Sequence, residues 1–468
     1  MKFNFNFNKK KVKNVSIKFL GAASTVTGSK YLLQTPNFNV MIDCGLFQGL
    51  KELRLKNWDH LPLDPGKIDA VIITHAHLDH TGYLPVLVKN GFNGNIYLSK
   101  PTAEITEIIL KDSAKLQKED ADLANEKGFS KHKPAKPLYD EDDVYPVLGQ
   151  FVRMDELDWV ELNEHIRFRF VYNGHILGAC FVEIDCYGKK IIFSGDIGTN
   201  NSITLHDPKR PEIADYVVIE STYGDRNHSS ISPLIALRDI VNDSIRRGGN
   251  LLIPSFAVGR AQELMVLLKE LKSSNQIPDI PVFLDTPMGV NTTKVYCNYP
   301  GWHKLSEKDC HYFFEDIQIV KDIKHTYKII ESRFPKIVIA ASGMLTGGRV
   351  LHYLKEWLPS RKNTVLLVGY QAEGTRGRAI KSGSSEVKIF GEFIPVNCNV
   401  EEVNSLSAHA DQNELLAWVG NLKNKPDKLF IVHGDPSSSH AFKLKLESKL
   451  GISSITPHLN EEEVLFSL

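Results

Sequence analysis

His75-Ala76-His77-Leu78-Asp79-His80 brings four metal-capable side chains into six consecutive positions. The stretch follows the apolar run Asp69-Ala70-Val71-Ile72-Ile73-Thr74, which reads as a buried strand. His75 and His77 lie two apart, so in extended chain their imidazoles leave the same side and reach one cation. Asp79 and His80 fall where the chain turns into the helical stretch Thr81 to Lys89, and that turn can aim them at a second ion. Neutral imidazole is a common zinc ligand and carboxylate a bridging one, so a polar turn with incidental histidines is the weaker account.

The chain around this stretch has 468 residues, more than one ordinary core holds, which predicts two domains or a large composite. Its 42% hydrophobic and 24% charged content is that of a soluble globular protein. No apolar run approaches the roughly 20 residues that span a bilayer. Met1 to Val15 alternates Phe and Asn before Lys9-Lys10-Lys11 and never forms a signal-peptide core, so a solvated tail and a cytoplasmic location are expected. The six cysteines contain no C-x-x-C pair, which excludes a zinc ribbon and provides no disulfide framework. Any metal must therefore be held by His and carboxylate. With 56 basic and 56 acidic residues, the chain lacks the excess that marks tight non-specific nucleic-acid binders, though a local basic groove stays open.

Organisation changes along the chain. Val15 to Gly21, Tyr31 to Thr35, Asn39 to Cys44 and Ile96 to Ser99 read as short strands, followed by a long helix from about Thr102 to Ala124. Ser130 to Pro137 is a Pro-broken connector. Phe168 to Asn173, Cys180 to Cys186 and Lys190 to Ser194 resume the strands, with Tyr187-Gly188 as a hairpin turn. From about residue 225 buried strands (Leu251 to Pro254, Val282 to Leu284, Ile337 to Ala341, Thr364 to Gly369) alternate with amphipathic helices such as Ala261 to Leu271 and Gly347 to Trp357. That rhythm predicts parallel β-α-β units in a separate α/β domain. Ligand-type motifs return near residue 400, so the second domain reads as inserted into the first.

Six further motifs share the pattern of chemistry-bearing residues at strand ends. They are Met41-Ile42-Asp43-Cys44-Gly45, Asn173-Gly174-His175-Ile176-Leu177-Gly178, Ser194-Gly195-Asp196-Ile197-Gly198, Glu220-Ser221-Thr222-Tyr223-Gly224, Ser407-Ala408-His409-Ala410-Asp411 and Ile431-Val432-His433-Gly434-Asp435. Any one alone is weak, since a strand-end Asp is more often a turn former than a ligand. In this order, they resemble the metallo-β-lactamase fold and its β-CASP branch of nucleases. The match extends over nearly the whole chain to bacterial and archaeal relatives of the cleavage and polyadenylation endonuclease subunit. The resemblance implies an α/β fold, a metallo-β-lactamase αββα sandwich with an inserted β-CASP α/β domain. Its parts are expected at 1–222 and 403–468 for the sandwich and 223–402 for the insertion.

The same resemblance implies a site. His75, His77 and His175 would hold one ion and Asp79, His80 and His433 the other, with Asp196 bridging. Asp43 would stand behind them, fixing a ligand or the bridging water. Two Zn2+ ions are implied, with manganese as the alternative. His409, oriented by Glu220, would protonate the leaving group; a histidine capping the helix that follows is the bland reading. Small residues and arginines at strand-to-helix turns of the insertion are candidates for substrate phosphates: Arg260, Ser342, Gly343, Arg349, Thr375, Arg376 and Arg378. Gly198-Thr199-Asn200 departs from the expected pattern, which has an Arg after the Gly. KH-type modules before the sandwich and the extra C-terminal domain of ribonuclease J have no counterpart here, so RNA is expected to be gripped by the cleft.

The implied function is a metal-dependent ribonuclease acting on single-stranded RNA, an endonuclease in preference to a 5′–3′ exonuclease, leaving 5′-phosphate and 3′-hydroxyl ends. A homodimer is the candidate assembly, and no membrane partner is expected. Three alternatives are weighed against this. A hydrolase of small carbonyl substrates shares the H-x-H-x-D-H core but needs no α/β insertion of this size. DNA-repair relatives carry valine where this chain has His433. A catalytically dead scaffold would have lost ligands, and every expected ligand is present.

Overall fold

The short apolar runs of the first part pair into two sheets whose buried faces meet. This computed structural model of the protein describes residues 13–128, 132–312 and 317–468, and of residues 311 and 312 only the backbone. The N-terminal tail up to Val12 and Ser130-Lys131 of the Pro-broken connector lie outside the described residues. The first sheet has seven strands in the order Glu462–Ser467, Asn14–Phe19, Tyr31–Gln34, Asn39–Ile42, Ala70–Ile72, Asn95–Ser99, Phe151–Met154. The second has six, in the order Lys428–Val432, Tyr216–Glu220, Lys189–Phe193, Cys180–Cys186, Ile166–Tyr172, Val160–Asn163. Each sheet thus takes a strand from beyond residue 403 against strands from the first part of the chain.

Ile17, Phe19, Ile42, Phe168, Phe170, Phe193, Val218 and Phe430 fill the space between the sheets. The Phe19 and Phe430 rings lie 5.1 Å apart across that core. The outer face of the first sheet is covered by the helices Leu84–Lys89, Lys100–Lys127 and Glu141–Gly149, that of the second by Gln412–Gly420 and Pro436–Leu450. The layering is αββα.

A third sheet of six strands is drawn only from residues 251–402, in the order Ile317–Ile319, Val282–Asp285, Ile337–Ala340, Leu251–Pro254, Thr364–Leu367, Asn399–Glu402. Every pairing in it is parallel. Its four central strands are buried along their whole length, the pattern of a parallel sheet with helices on both faces. Ala76, Ile105, Ile176 and Leu177 of the sandwich belong to the same apolar cluster as Ile253, Leu264 and Leu268 of this unit. The helix Lys100–Lys127 packs on the helix Pro287–Asn298 across the junction. Burial therefore fixes the third sheet directly beside the His75–His80 loop. None of the described helices is long and apolar enough to cross a membrane.

Topology places the chemistry. Asn39–Ile42, Ala70–Ile72 and Asn95–Ser99 run parallel, as do Lys189–Phe193, Tyr216–Glu220 and Lys428–Val432 in the other sheet. Asp43, the His75–His80 loop, Asp196, Glu220 and His433 all fall at or just past the carboxyl ends of these strands, where α/β folds collect their ligands. Phe430→Ala, which empties a fully buried ring site between the sheets, should cost about 3–5 kcal/mol. A drop in the urea midpoint that also lowers metal binding is the expected readout.

Candidate metal centre

The strand before the His-rich stretch ends at Ile72, and His75 and His77 sit in the loop that follows, His77 with backbone at φ −57° and ψ 150°. The helix Leu78–Thr81 begins inside the motif and gives way to Leu84–Lys89, where one stretch from Thr81 was expected. What shapes the loop is Asp43. Its buried carboxylate accepts Thr74 N–H at 2.8 Å and Thr74 Oγ1–H at 2.9 Å, and takes His80 Nδ1–H at 2.7 Å. Asp43 and His433 both hold left-handed backbone, at φ 56° and 46°, a strained state that persists where surroundings enforce it. Gly45 is equally constrained, since a Cβ there would lie 1.6 Å from the Asp79 carbonyl oxygen.

Hydrogen-bond accounting fixes where the lone pairs point. Thr74 Oγ1 gives its proton to Asp43 and so accepts from His75 Nδ1 at 3.1 Å, which leaves His75 Nε2 as a lone pair. His175 Nδ1 donates to the Ala408 carbonyl at 3.2 Å and leaves its own Nε2 bare. His77 Nδ1 faces these two nitrogens at 3.1 and 3.2 Å. Asp196 Oδ2 stands 3.3 Å from the first and 3.5 Å from the second. A single proton on His77 cannot satisfy all the facing lone pairs. A cation at their centre can: four ligands at about 2.0–2.1 Å form a tetrahedron with edges of about 3.3–3.4 Å. Burial pushes His75 down to about 3 and His77 to about 4, so both rings are neutral, the form that donates to metal.

A second group adjoins the first. His80 Nε2, freed by the Nδ1 bond to Asp43, lies 3.3 Å from His433 Nε2 and 3.3 Å from Asp196 Oδ1. Asp79 Oδ2 is 3.3 Å from His433 Nε2. Asp196 thus turns one oxygen to each group, the geometry of a bridging acid. The seven expected ligands are gathered into these two groups, and the residues fit a pair of cations.

Beside them, His409 Nδ1 lies 3.1 and 3.2 Å from the two oxygens of Glu220, a carboxylate buried at the end of its strand. Burial works against the imidazolium, yet the Glu220 charge and hydrogen bond outweigh it and hold His409 at about 9. The His409 ring lies tilted against that of His175, their centres 4.4 Å apart. It is not the helix cap: Asp411 caps Gln412–Gly420, its side chain accepting Glu414 N–H.

The expected phosphate contacts of the insertion are arranged differently. Arg260 is buried and ion-paired with Glu263. Arg349 binds Asp285 at 2.6 Å and the Val320 and Lys321 carbonyls. Arg376 donates to the Lys388, Leu345 and Thr346 carbonyls. Arg378 pairs with Glu373 at 2.9 Å on the surface. Ser342 Oγ accepts Thr346 N–H, Thr375 caps the helix Arg376–Lys381, and Gly343 lies against Phe256. Three of the four arginines are thus committed to holding their own loops. Burial of a guanidinium beside an acid or carbonyls, invisible in a motif, is the reason. The sequence reading missed Phe256, whose ring is 5.9 Å from that of His77, and Thr74, which orients His75. Thr74 had a signal, being the polar residue that ends the apolar run; Phe256 had none.

Fold and site together define a metallo-hydrolase of metallo-β-lactamase architecture. Residues 25–246 match the metallo-β-lactamase superfamily, 261–380 the β-CASP domain, and 394–457 a Zn-dependent metallo-hydrolase RNA specificity domain. "Ribonuclease TTHA0252" of Thermus thermophilus is 34% identical over 89% of this chain and 92% of its own length. "Transcription termination factor FttA" of Pyrococcus horikoshii is 32% identical over 95% of this chain and 70% of its own. A crystal structure of a protein of unknown function from Enterococcus faecalis V583 shares the fold at TM-score 0.52 and 13% identity, covering 96% of this chain and 100% of that one. The chain belongs to the β-CASP family of the metallo-β-lactamase superfamily.

Asp196→Asn should strip both ions and His77→Ala chiefly one, because the first faces both groups and the second only one. Metal content of the purified variants by plasma mass spectrometry checks this.

Proposed function

We propose that the protein is a zinc-dependent ribonuclease. It would hydrolyse phosphodiester bonds of single-stranded RNA within the strand and leave 5′-phosphate and 3′-hydroxyl ends. The observation that carries this reading is the His409–Glu220 pair held against the two-group metal cluster. When bound, a pair of cations lowers the pKa of a shared water and offsets the charge of a phosphodiester. The seven ligands would be His75, His77 and His175 for one ion, Asp79, His80 and His433 for the other, and Asp196 between them.

The remaining steps belong to the chain's own residues. Asp43 and Thr74 fix the tautomers of His80 and His75, so both present Nε2 to the cluster. Breaking a phosphodiester releases an alkoxide, which needs a proton. His409, with Nδ1 anchored on Glu220, can give one from Nε2, and the Glu220 carboxylate favours its charged form. Phe256 sets its ring beside that of His77 at one side of the cluster. A thioester hydrolase expels a thiolate that leaves without a proton, and neither a thioester nor a lactam hydrolase requires an inserted unit of this size. The ribonuclease relative of nearly equal length supports RNA as substrate, and so does His433. A cytoplasmic role in RNA processing or decay suits such an activity.

His409→Ala should lower turnover of RNA roughly 10²–10⁴-fold while both ions stay bound. Bis-p-nitrophenyl phosphate, whose leaving group needs little protonation, should lose much less. Equal losses on the two substrates would argue against His409 as the acid. A circular single-stranded RNA has no 5′ end, so it should be cut, and the fragments should carry no cyclic phosphate. Intact circles beside degraded linear RNA would instead make the enzyme an exonuclease.

A further inference from the structure

The chain between Cys297 and Cys310 is a strap by which the inserted unit holds the sandwich. Tyr299 Oη donates to Glu104 Oε1 at 2.6 Å. Tyr172 Oη donates to the Trp302 carbonyl at 3.4 Å, their rings 5.8 Å apart. Lys304 N–H donates to the Thr204 carbonyl at 2.7 Å, and Lys304 Nζ reaches the Ser202 carbonyl at 3.2 Å and Asp207 at 3.3 Å. Glu104 and Tyr172 belong to the sandwich, and Ser202, Thr204 and Asp207 lie in the loop that runs on from Asp196. The strap therefore bears on the segment that carries the bridging acid.

The two ends of the strap are brought together. Cys297 lies in the last turn of the helix Pro287–Asn298, and the helix Glu307–Tyr312, which carries Cys310, packs against it. Inside the strap His303 ties one end to the other: its Nε2–H donates to the Tyr296 carbonyl at 2.8 Å, and its Nδ1 accepts Leu305 N–H at 3.2 Å. Cys310 packs on the apolar cluster that contains Val295, Tyr296 and Leu305. The Cys297 and Cys310 thiols thus face each other closely enough to share a hydrogen bond. They differ in access. Cys297 is exposed and Cys310 partly buried, while Cys44, Cys180, Cys186 and Cys398 are buried. Burial, and then the Cys297 thiol beside it, push Cys310 up to about 12, so Cys297 meets an oxidant first.

We propose that Cys297 and Cys310 form a site of reversible thiol–disulfide exchange whose oxidation locks the strap. The oxidant is a small soluble disulfide of the glutathione type. The Cys297 thiolate, its proton given to water, attacks one sulfur of that disulfide and expels one thiolate. Cys310 then gives up its own proton, and its sulfur attacks that of Cys297, breaking the mixed disulfide and expelling the second thiolate. The two expelled thiolates take up the two protons. The cysteine pair thereby loses two electrons and the small disulfide is reduced to two thiols. In a reduced glutathione pool the pair stays open, and it closes when the disulfide fraction of the pool rises. A ring closed between residues 297 and 310 restricts the released strap far more than the docked one, so the docked state gains.

The test treats the full chain with glutathione disulfide and reads the product by mass spectrometry. The protein should lose two hydrogens and, digested with trypsin without reductant, release one linked peptide pair holding Cys297 and Cys310. Amide exchange over residues 299–304 should slow roughly 10- to 100-fold, and dithiothreitol should reverse both changes. Cys310→Ser should stop at a glutathione adduct on Cys297, while Cys297→Ser should stay unmodified and exchange like the reduced protein. An unsubstituted protein that keeps the adduct on Cys297, takes up no oxidant or links to a second molecule would overturn the pairing. A linked pair with unchanged exchange would overturn the lock on the strap. No readout uses RNA or turnover, so failure here leaves the ribonuclease reading untouched, and loss of that reading leaves the thiol pair standing.

Discussion

The site depends on one buried carboxylate. Asp43 takes three hydrogen bonds, from Thr74 N, Thr74 Oγ1 and His80 Nδ1, and through them decides which nitrogens of two histidines are bare. An unpaired charge in such a place would cost several kcal/mol, so the bonds are what allow it to be there at all. Its left-handed backbone turns the chain at the end of its strand, and Gly45 then passes beneath the Asp79 carbonyl with no room for a side chain. The strand pairings Asn39–Ile42 with Ala70–Ile72 bring Asp43 to Thr74 in the first place. Sheet register is thereby converted into tautomer choice, and tautomer choice into a convergence of lone pairs.

That convergence has a cost which the rest of the molecule offsets. Bare nitrogens and carboxylate oxygens gathered at 3.1–3.5 Å repel unless a cation stands among them. The ligands come from both sheets: His75, His77, Asp79 and His80 from the first, His175, Asp196 and His433 from the second. Only a sandwich held shut by a dry core of Phe19, Phe168, Phe193 and Phe430 can hold them face to face. Metal and core would therefore be coupled, since a cation held there would join the two sheets at the edge where their packing stops.

How much of this was legible in the sequence follows from the range of each interaction. Alternating and continuous apolar runs marked strands such as Cys180–Cys186 and Leu251–Pro254 to the residue, because burial acts position by position. His75, His77, Asp79 and His80 stood out because no ordinary turn needs that many imidazoles and acids, whereas His175, Asp196 and His433 were expected only from the resemblance to a known family. The role of Thr74 was half-visible, as a hydroxyl one residue before His75. Phe256 was invisible, because its contact with His77 depends on how two separately folded units are set against each other. The protein partners of the arginine turns were hidden for a related reason. Gly-rich strand-to-helix turns resemble phosphate loops in sequence, but whether a guanidinium faces solvent or a buried partner such as Asp285 is decided by residues far away in the chain.

The committed arginines also bear on the neutral charge of the chain. Arg349 and Arg376 lie close enough to Asp112 and Asp120, on the helix Lys100–Lys127, to pull against the burial that raises both acids. Opposite charges thus face each other where the two units meet at the rim. Such pairing holds the units in register more than it attracts a polyanion, because each arginine's field is largely cancelled before it reaches the cleft. An enzyme with a uniformly basic groove draws in any nucleic acid and releases it slowly. Cations held by the seven ligands would then be the main positive charge within reach of a phosphate, and attraction would be concentrated there.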